Sequence, residues 1–406
     1  MHIAYVCHYF VPEPAAPAAR VHELSRAWVQ AGHHVSVLTA FPNHPSGRIP
    51  KPYRGKLWST EQLDGIRVLR SWLYAVPNRG VGRRGLDHLS FMLTLLLFSL
   101  PRLGRVDVVV ASSPTLFSAL AAWLIARLRR VRFVLEVRDL WPEAIVELGL
   151  LPAHSPAARA LAVLARFLYA RADGVVVVTH AFAGRLAAQG VPHAKLSVIP
   201  NGADLQLFAP GSDGRVTRAA LGLDNRFVVG YIGSHGTSHG LDAVLDAAAQ
   251  QPDVQYLLVG DGAERDRLLA ERDRRGLRNV RMLASVPKAQ VPVLYAAADV
   301  CLVPLRDVPL FDTFVPSKLF EVLAAGRPIV GAVRGEARSI LERSGGALVV
   351  DPEDGGGIAT AVARLRGDAA LREELGRRGR AFAEQYYNRD QLAQRYLDLL
   401  RELVPG

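Results

Sequence analysis

"FVVGYIGSHGTSHGLDAVLDAA", residues 227–248, decides the reading of the fold. An apolar, β-rich run ends at Ile232. Gly233, Gly236 and Gly240 follow, and a helix opens near Leu241. A short buried strand, a glycine-punctuated loop and a helix form the repeating unit of a parallel α/β sheet. The same rhythm runs through the chain. "HIAYVCHY", "HVSVLTA", "IRVLRSW", "VDVVVASS", "RFVLEV" and "GVVVVT" precede this stretch, and "QYLLVG", "VRMLA", "DVCLVP", "PIVGAV" and "ALVV" follow it. Helical patterns lie between several of them, at 18–31, 155–171, 241–249 and 264–275. Short, apolar, β-branched runs of this kind predict strands buried on both faces.

The chain has 406 residues, and at roughly 100–200 residues per domain it predicts two domains. The join is "VIPNGADLQLFAPGSDGR", 198–215, punctuated by Pro200, Gly202, Pro210, Gly211 and Gly214. The expected fold class is therefore α/β, with two Rossmann-like doubly wound domains at 1–203 and 204–385. An amphipathic helix at 386–406 is expected to cross back onto the first domain.

Composition narrows the partners. The formal net charge is +11, and 44 of the 49 basic residues are arginine. That favours anionic partners such as nucleotide phosphates or a phospholipid surface. The basic residues are dispersed with no aromatic-interleaved run, so nucleic acid is not expected. Cys7 and Cys301 lie far apart inside apparent strands. They make neither a disulfide framework nor a metal pattern, and a reducing cytoplasm is expected. "MHIAYVCHYF" begins directly as a strand, without the features of a secretory leader. "LSFMLTLLLFSLPRL", 89–103, is the most apolar segment but falls short of the ~20 residues of a membrane span. It reads equally as a core helix or as a helix lying in a membrane interface, flanked by Arg79, Arg83, Arg84, Arg102 and Arg105.

Open α/β sheets bind ligands at the carboxyl ends of their strands, so the loops there supply the candidate sites. The 233–240 loop offers closely approaching backbone N–H groups and a helix N-terminus, a setting for phosphate. Its spacing is not the G-x-G-x-x-G fingerprint, and a plain strand–helix turn is the bland reading. In "FVPSKLFEVLAAGRPIVG", 314–331, Ser317 and Lys318 fall where an apolar helix begins. A lysine there opposes the helix dipole unless an anion sits beside it. Glu321, one turn on, can accept from vicinal ribose hydroxyls; a surface ion pair is the alternative. "LEVRDLWPEAIVELG", 135–149, places Arg138, Asp139 and Glu143 at a strand's end. Asp139 could equally be a helix N-cap. In the first loop, Arg20 can face a cleft. In "ASSPT", 111–115, Ser112 and Ser113 can bind sugar or phosphate, or cap the next helix.

These residues carry a resemblance. The linker "IPNGAD" and the string "PSKLFEVLAAGRPIV" resemble glycosyltransferase family four, of the GT-B fold. "YF-x-P-E" at 9–13, Arg20, "VRDLWPE" at 137–143 and "PSKLFE" at 316–321 look like the WbuB-type amino-sugar branch. The resemblance spans essentially the whole chain. It implies a retaining transfer from a UDP-sugar, with no cofactor and no essential metal, to an acceptor that is lipid-linked and membrane-associated, at the cytoplasmic face of the inner membrane. It implies donor contacts at Gly233, Ser234, His235 and Gly236, and at Thr313, Phe314, Ser317, Lys318, Leu319 and Glu321. Arg138, Asp139 and Glu143 become the catalytic candidates, and Ala15, Ala16, Arg20 and Ser112 the residues of the first domain's cleft. Three departures stand out. Thr313 occupies the position of a usual first glutamate, Ser238 and His239 stand where a lysine is usual, and Ala15 replaces a glycine. A nucleotide-sugar epimerase and a non-catalytic partner subunit of the same fold are the alternatives.

Overall fold

The computed structural model describes residues 1–13, 16–44, 46–76, 81–113, 115–147, 149, 151–211, 213–223 and 226–404. It divides into two compact units, Met1–Pro200 with Asp390–Gly406, and Asn201–Arg389.

The first unit carries an eight-stranded sheet of β1 (His2–Val6), β2 (His34–Ala40), β3 (Trp58–Leu63), β4 (Ile66–Ser71), β5 (Val108–Ser112), β6 (Arg132–Val137), β7 (Gly174–Val177) and β8 (Leu196–Val198). Its order is β3-β4-β2-β1-β5-β6-β7-β8. All pairings are parallel except β3 with β4. β3 is absent from the sequence expectations. Its residues are largely exposed, so it lacks the apolar run that marks the buried strands. It pairs through a tight turn in which Asp64 and Gly65 both take positive φ (50° and 79°), the hairpin geometry that Asp-Gly favours.

The helix Arg389–Leu403 belongs to this unit. Leu392, Ala393, Tyr396, Leu397 and Leu400 join Ile3, Tyr5, Trp28 and Val37 in one buried cluster. Trp28 Nε1 donates to the Ala393 carbonyl at 3.1 Å.

The 89–103 segment has one buried and one exposed face. The helix Val81–Thr94 runs on into a π-turn, Leu95–Ser99, and a short 3₁₀ turn, Leu100–Arg102. Phe91, Leu95 and Leu103 are buried, whereas Leu86 (56%), Leu89 (36%), Leu93 (50%) and Leu97 (66%) are exposed. Their spacing of three, four and four residues aligns them as one stripe.

The second unit carries β9 (Phe227–Ile232), β10 (Val254–Val259), β11 (Val280–Leu283), β12 (Val300–Pro304), β13 (Ile329–Ala332) and β14 (Ala347–Val350). The order is β11-β10-β9-β12-β13-β14, and every pair is parallel. Strand order reverses at β9 and β12, just as it does at β1 and β5 in the first sheet. Such switch points leave a crevice beyond the carboxyl ends of the strands, where ligands of doubly wound sheets bind.

Candidate functional site

The loop leaving β9 sits at the switch point of the second sheet, and glycines set its course. Gly233 has φ +151°, and a Cβ there would lie 2.6 Å from Lys318 Nζ and 2.7 Å from its Cε. The absence of that carbon lets the lysine reach the end of the strand. A Cβ on Gly260 would lie 1.8 Å from the Gly233 carbonyl oxygen, and one on Gly262 2.6 Å from the His235 carbonyl. The loops after β9 and β10 therefore pack backbone to backbone. The His235 amide donates to the Asp261 carbonyl at 2.8 Å and the Glu264 amide to the His235 carbonyl at 2.9 Å.

Lys318 enters on the helix Ser317–Ala324, whose other buried residues are apolar. Its ammonium lies 3.7 Å from the centre of the Tyr231 ring, a cation–π contact, and makes no hydrogen bond. Tyr231 is held in turn by its hydroxyl donating to the Ser234 carbonyl at 2.5 Å. Burial pushes the Lys318 ammonium down to about 7, against the opposing charge of Glu321. Both ring nitrogens of His235 and Nδ1 of His239 are also buried without hydrogen-bond partners. Burial first, then the Lys318 charge, lowers these imidazoles to about 4 and about 3. Two buried side chains, Lys318 and His235, and the half-buried His239 thus bring unsatisfied polar atoms to one strand end. Each such group costs about 1–3 kcal/mol if left unmade. The Lys318 ammonium and one His235 N–H can donate to an anion, whereas neutral His239, whose other ring nitrogen bonds the Pro304 carbonyl, offers Nδ1 as an acceptor.

Glu321 lies one helical turn beyond Lys318. It accepts from the Tyr295 hydroxyl at 3.4 Å and faces Lys288 Nζ at 3.9 Å. Thr313 closes a 3₁₀ turn, Pro309–Thr313, and spends its hydroxyl on the Leu310 carbonyl at 2.8 Å. Phe314 stands edge-on to Phe311. Ser317 opens the helix and Ser234 is exposed. Leu319 does not line the site with its side chain. It is wholly buried, and its amide is engaged by the Pro316 carbonyl at 3.0 Å.

One expectation for the glycine loop meets an obstacle. After Gly236 a short 3₁₀ turn, Thr237–His239, intervenes, and the helix proper begins at Asp242. Asp242 occupies the first turn and pairs with Arg267 at 2.6 Å. A phosphate at that helix end would meet a carboxylate. The anion-seeking groups are instead those around Gly233, His235 and Lys318.

In the first unit, Glu136 near the end of β6 is wholly buried. Arg20 Nε donates to its Oε1 at 3.0 Å and Tyr5 to its Oε2 at 2.8 Å. Arg20 also donates to the Pro200 and Ile199 carbonyls at 2.8 and 3.0 Å. Arg20 therefore turns inward and ties β6 to the chain leaving β8, rather than presenting its guanidinium to an opening. Ser112 is buried beside Glu136 in the β5–β6 ladder. Arg138 Nε lies 3.7 Å from Glu136, yet Nε and one terminal nitrogen make no hydrogen bond. Burial lowers the pKa of Arg138 and pushes the Asp139 carboxyl up to about 6, against the Arg138 charge. The next helix starts at Glu143, so Asp139 is not its cap. Glu143 accepts from Gln189 at 3.0 Å. Ala16 begins the first helix, and Ala15 lies outside the described residues.

Sequence reasoning missed Tyr231, Tyr295 and Lys288, which support Lys318 and Glu321. Only a signal of tertiary pairing would have found them.

Two doubly wound units, the second with a buried lysine against a glycine turn at its switch point, have the GT-B architecture of glycosyltransferases. Family models describe residues 16–202 as a glycosyl transferase 4-like domain and 226–368 as glycosyl transferases group 1. The chain belongs to glycosyltransferase family four. It is 27% identical over 390 residues to WcaI of Escherichia coli (strain K12), named a colanic acid biosynthesis glycosyl transferase, covering 92% of this chain and 93% of that protein. Among solved structures it is similar to sucrose-phosphate synthase from Thermosynechococcus elongatus, with TM-score 0.78, 22% identity and 99% of each chain covered. It is also similar to Anabaena HepE in complex with UDP and glucose, with TM-score 0.75, 20% identity and 99% of each chain covered.

Proposed function

We propose that this glycosyltransferase transfers a sugar, an N-acetylated amino sugar, from a UDP-sugar to a lipid-linked saccharide in surface polysaccharide biosynthesis, with retention of anomeric configuration. The observation that carries the reading is the buried, unbonded ammonium of Lys318 at the end of β9. Placing a desolvated cation against a tyrosine ring has a purpose when a diphosphate completes it. The groups that converge there are a cation and N–H donors, so Lys318 neutralises the leaving diphosphate in the way an oxyanion hole does. In this reading no metal ion is needed at that point, and Glu321 accepts from the ribose. Arg138 and Asp139 serve the acceptor side of the chemistry. The name of WcaI and the UDP held by HepE support the substrate class.

The same proposal places the protein peripherally on a membrane. Among the described residues no helix is long and apolar enough to cross one. The exposed stripe Leu86, Leu89, Leu93 and Leu97 offers an apolar face. Nearby, Arg102 stacks on the half-exposed Trp58 at 3.7 Å, an aromatic–cation pairing suited to lipid head groups.

The test is release of UDP from a panel of UDP-amino sugars in the presence of a polyprenyl-diphosphate-linked saccharide. Lys318→Ala and Glu321→Ala are each expected to abolish most of it. Near wild-type rates in both variants would overturn the site. Turnover of the UDP-sugar without acceptor would favour an epimerase. Co-sedimentation with anionic vesicles, lost in a Leu93→Glu/Leu97→Glu variant, tests the membrane face independently.

A further inference from the structure

A second cluster of buried polar groups lies in the first unit, and the donor chemistry makes no use of it. His8, just past β1, meets Asp87 and His88 on the helix Val81–Thr94. All three are buried, at 2%, 6% and 6% exposure. One ligand atom from each lies within 4.8 Å of the other two.

His8 Nε2 and Asp87 Oδ1 are 3.2 Å apart. Neither atom has a hydrogen-bond partner, each other included, and His8 Nδ1 has none either. The pair is therefore close but not aligned for a shared proton. With metal–nitrogen and metal–oxygen bonds of about 2.0–2.2 Å, the edge of a coordination tetrahedron is about 3.3–3.5 Å. The His8–Asp87 separation is close to such an edge.

We propose that His8, Asp87 and His88 bind a divalent zinc ion. Two imidazoles and one carboxylate are a borderline donor set, which suits zinc rather than magnesium or calcium. Rotation of the His88 ring brings the third donor in. The fourth position opens on a small cavity lined by Tyr9, Asn43, His44, Arg84, Asp87 and His88, with a volume of about 10 Å³. That is space for about one water molecule, and the guanidinium of Arg84 favours an anionic ligand such as hydroxide there. The ion fastens the end of β1 to a helix distant in sequence, beside the loop that holds Asn43 and His44. It shares no residue with the Lys318 site, and the two readings fail independently.

The experiment uses full-length protein without a histidine tag, purified from zinc-supplemented cells. Elemental analysis is expected to find about one zinc per chain. After chelation, cobalt(II) is expected to bind and give the intense visible d–d bands of a four-coordinate site. His88→Gln and Asp87→Asn are each expected to lose both signals while keeping the near-ultraviolet circular dichroism of the fold. UDP binding is expected to persist in both. Less than about a tenth of an equivalent of zinc, with no cobalt spectrum from the wild-type protein, would overturn the proposal. Absence of UDP binding in wild-type protein that holds zinc would count against the Lys318 reading alone.

Discussion

The Lys318 pocket makes a quantitative prediction about pH. The ammonium, pushed down to about 7 by burial, is half charged near neutrality in the empty protein. A bound diphosphate restores its charge, so UDP binding takes up a proton whenever the free lysine is neutral. At about pH 8.5 only ~3% of the empty protein carries that charge, against about half at pH 7. The affinity for UDP is therefore expected to fall by on the order of tenfold between these values, or about 1–2 kcal/mol. The window lies above the second ionisation of a phosphate, near 6, so the ligand's own charge stays constant. Isothermal titration calorimetry in buffers of differing ionisation enthalpy reads both quantities. Proton uptake should approach one per UDP at the higher pH. Lys318→Arg, whose guanidinium stays charged, should flatten the dependence.

The empty protein should show the opposite face of the same coupling. The folded pKa of Lys318 lies below the value of an exposed lysine, so the unfolded chain holds more protons between about pH 7 and 10.5. Stability of the empty second unit should rise with pH across that window. Lys318→Met removes the desolvated charge and should stabilise the empty unit near neutrality by an upper bound of about 4 kcal/mol, while losing UDP. An affinity that changes less than about threefold over the pH range, without proton uptake, would refute the reasoning.

Four further outcomes follow from the same geometry. Glu321→Gln should weaken UDP by about 1.5–3 kcal/mol, the worth of a hydrogen bond to a charged group, and should erase the preference for UDP over 2′-deoxy-UDP in a competition assay. Gly233→Ala adds a carbon 2.6 Å from Lys318 Nζ at a φ of +151°. It should cost about 1–3 kcal/mol of backbone strain and remove UDP binding, read by thermal shift with and without ligand. Glu136→Gln leaves Arg20 and Arg138 buried without their shared carboxylate, and should cost about 3–5 kcal/mol in urea denaturation. Asp139, raised to about 6 by burial, loses stability as pH rises from about 4 through 6. Asp139→Asn should recover on the order of 2–3 kcal/mol above that range in the same measurement.

The fold was legible because buried parallel strands announce themselves: "VDVVV" and "RFVLEV" are short apolar runs with no polar face to confuse the period. β3 was not, because an exposed edge strand reads as polar loop, although the Asp64–Gly65 turn was there to be seen. Lys318 and Glu321 were legible for a different reason. A cation in the first turn of an apolar helix breaks the local rules, and that break is what made the pair candidates. Which partners those residues would meet was not legible. Tyr231 lies 87 residues from Lys318 in the sequence, and Arg20 lies 116 from Glu136. Arg20 read as a cleft-facing group because no local pattern foretells a buried carboxylate on another strand. The glycine loop looked like a simple phosphate-binding helix start. Three-residue spacing could not show that Thr237–His239 would form a turn of its own, or that Asp242 would occupy the helix end.

The decisive contrast is between buried charges that are closed and those that are open. Glu136 has Arg20, Tyr5 and Arg138 around it, and Arg20 uses further donors on two carbonyls. The Arg20–Glu136–Tyr5 part of that network is closed within the fold and ties the strand ends together. Lys318 is also buried but makes no hydrogen bond, beside the imidazole of His235 in the same condition. Desolvating a charge costs free energy in both places. In the first unit Coulomb attraction offsets the cost within the fold; around Lys318 the fold leaves it standing. Arg138 and Asp139 lie only two and three residues past Glu136, yet Arg138 keeps unbonded nitrogens and Asp139 an elevated pKa. Closed and open groups in that loop therefore divide after Glu136, and the proposed reading puts the anionic substrate where a buried charge is left open, at Lys318.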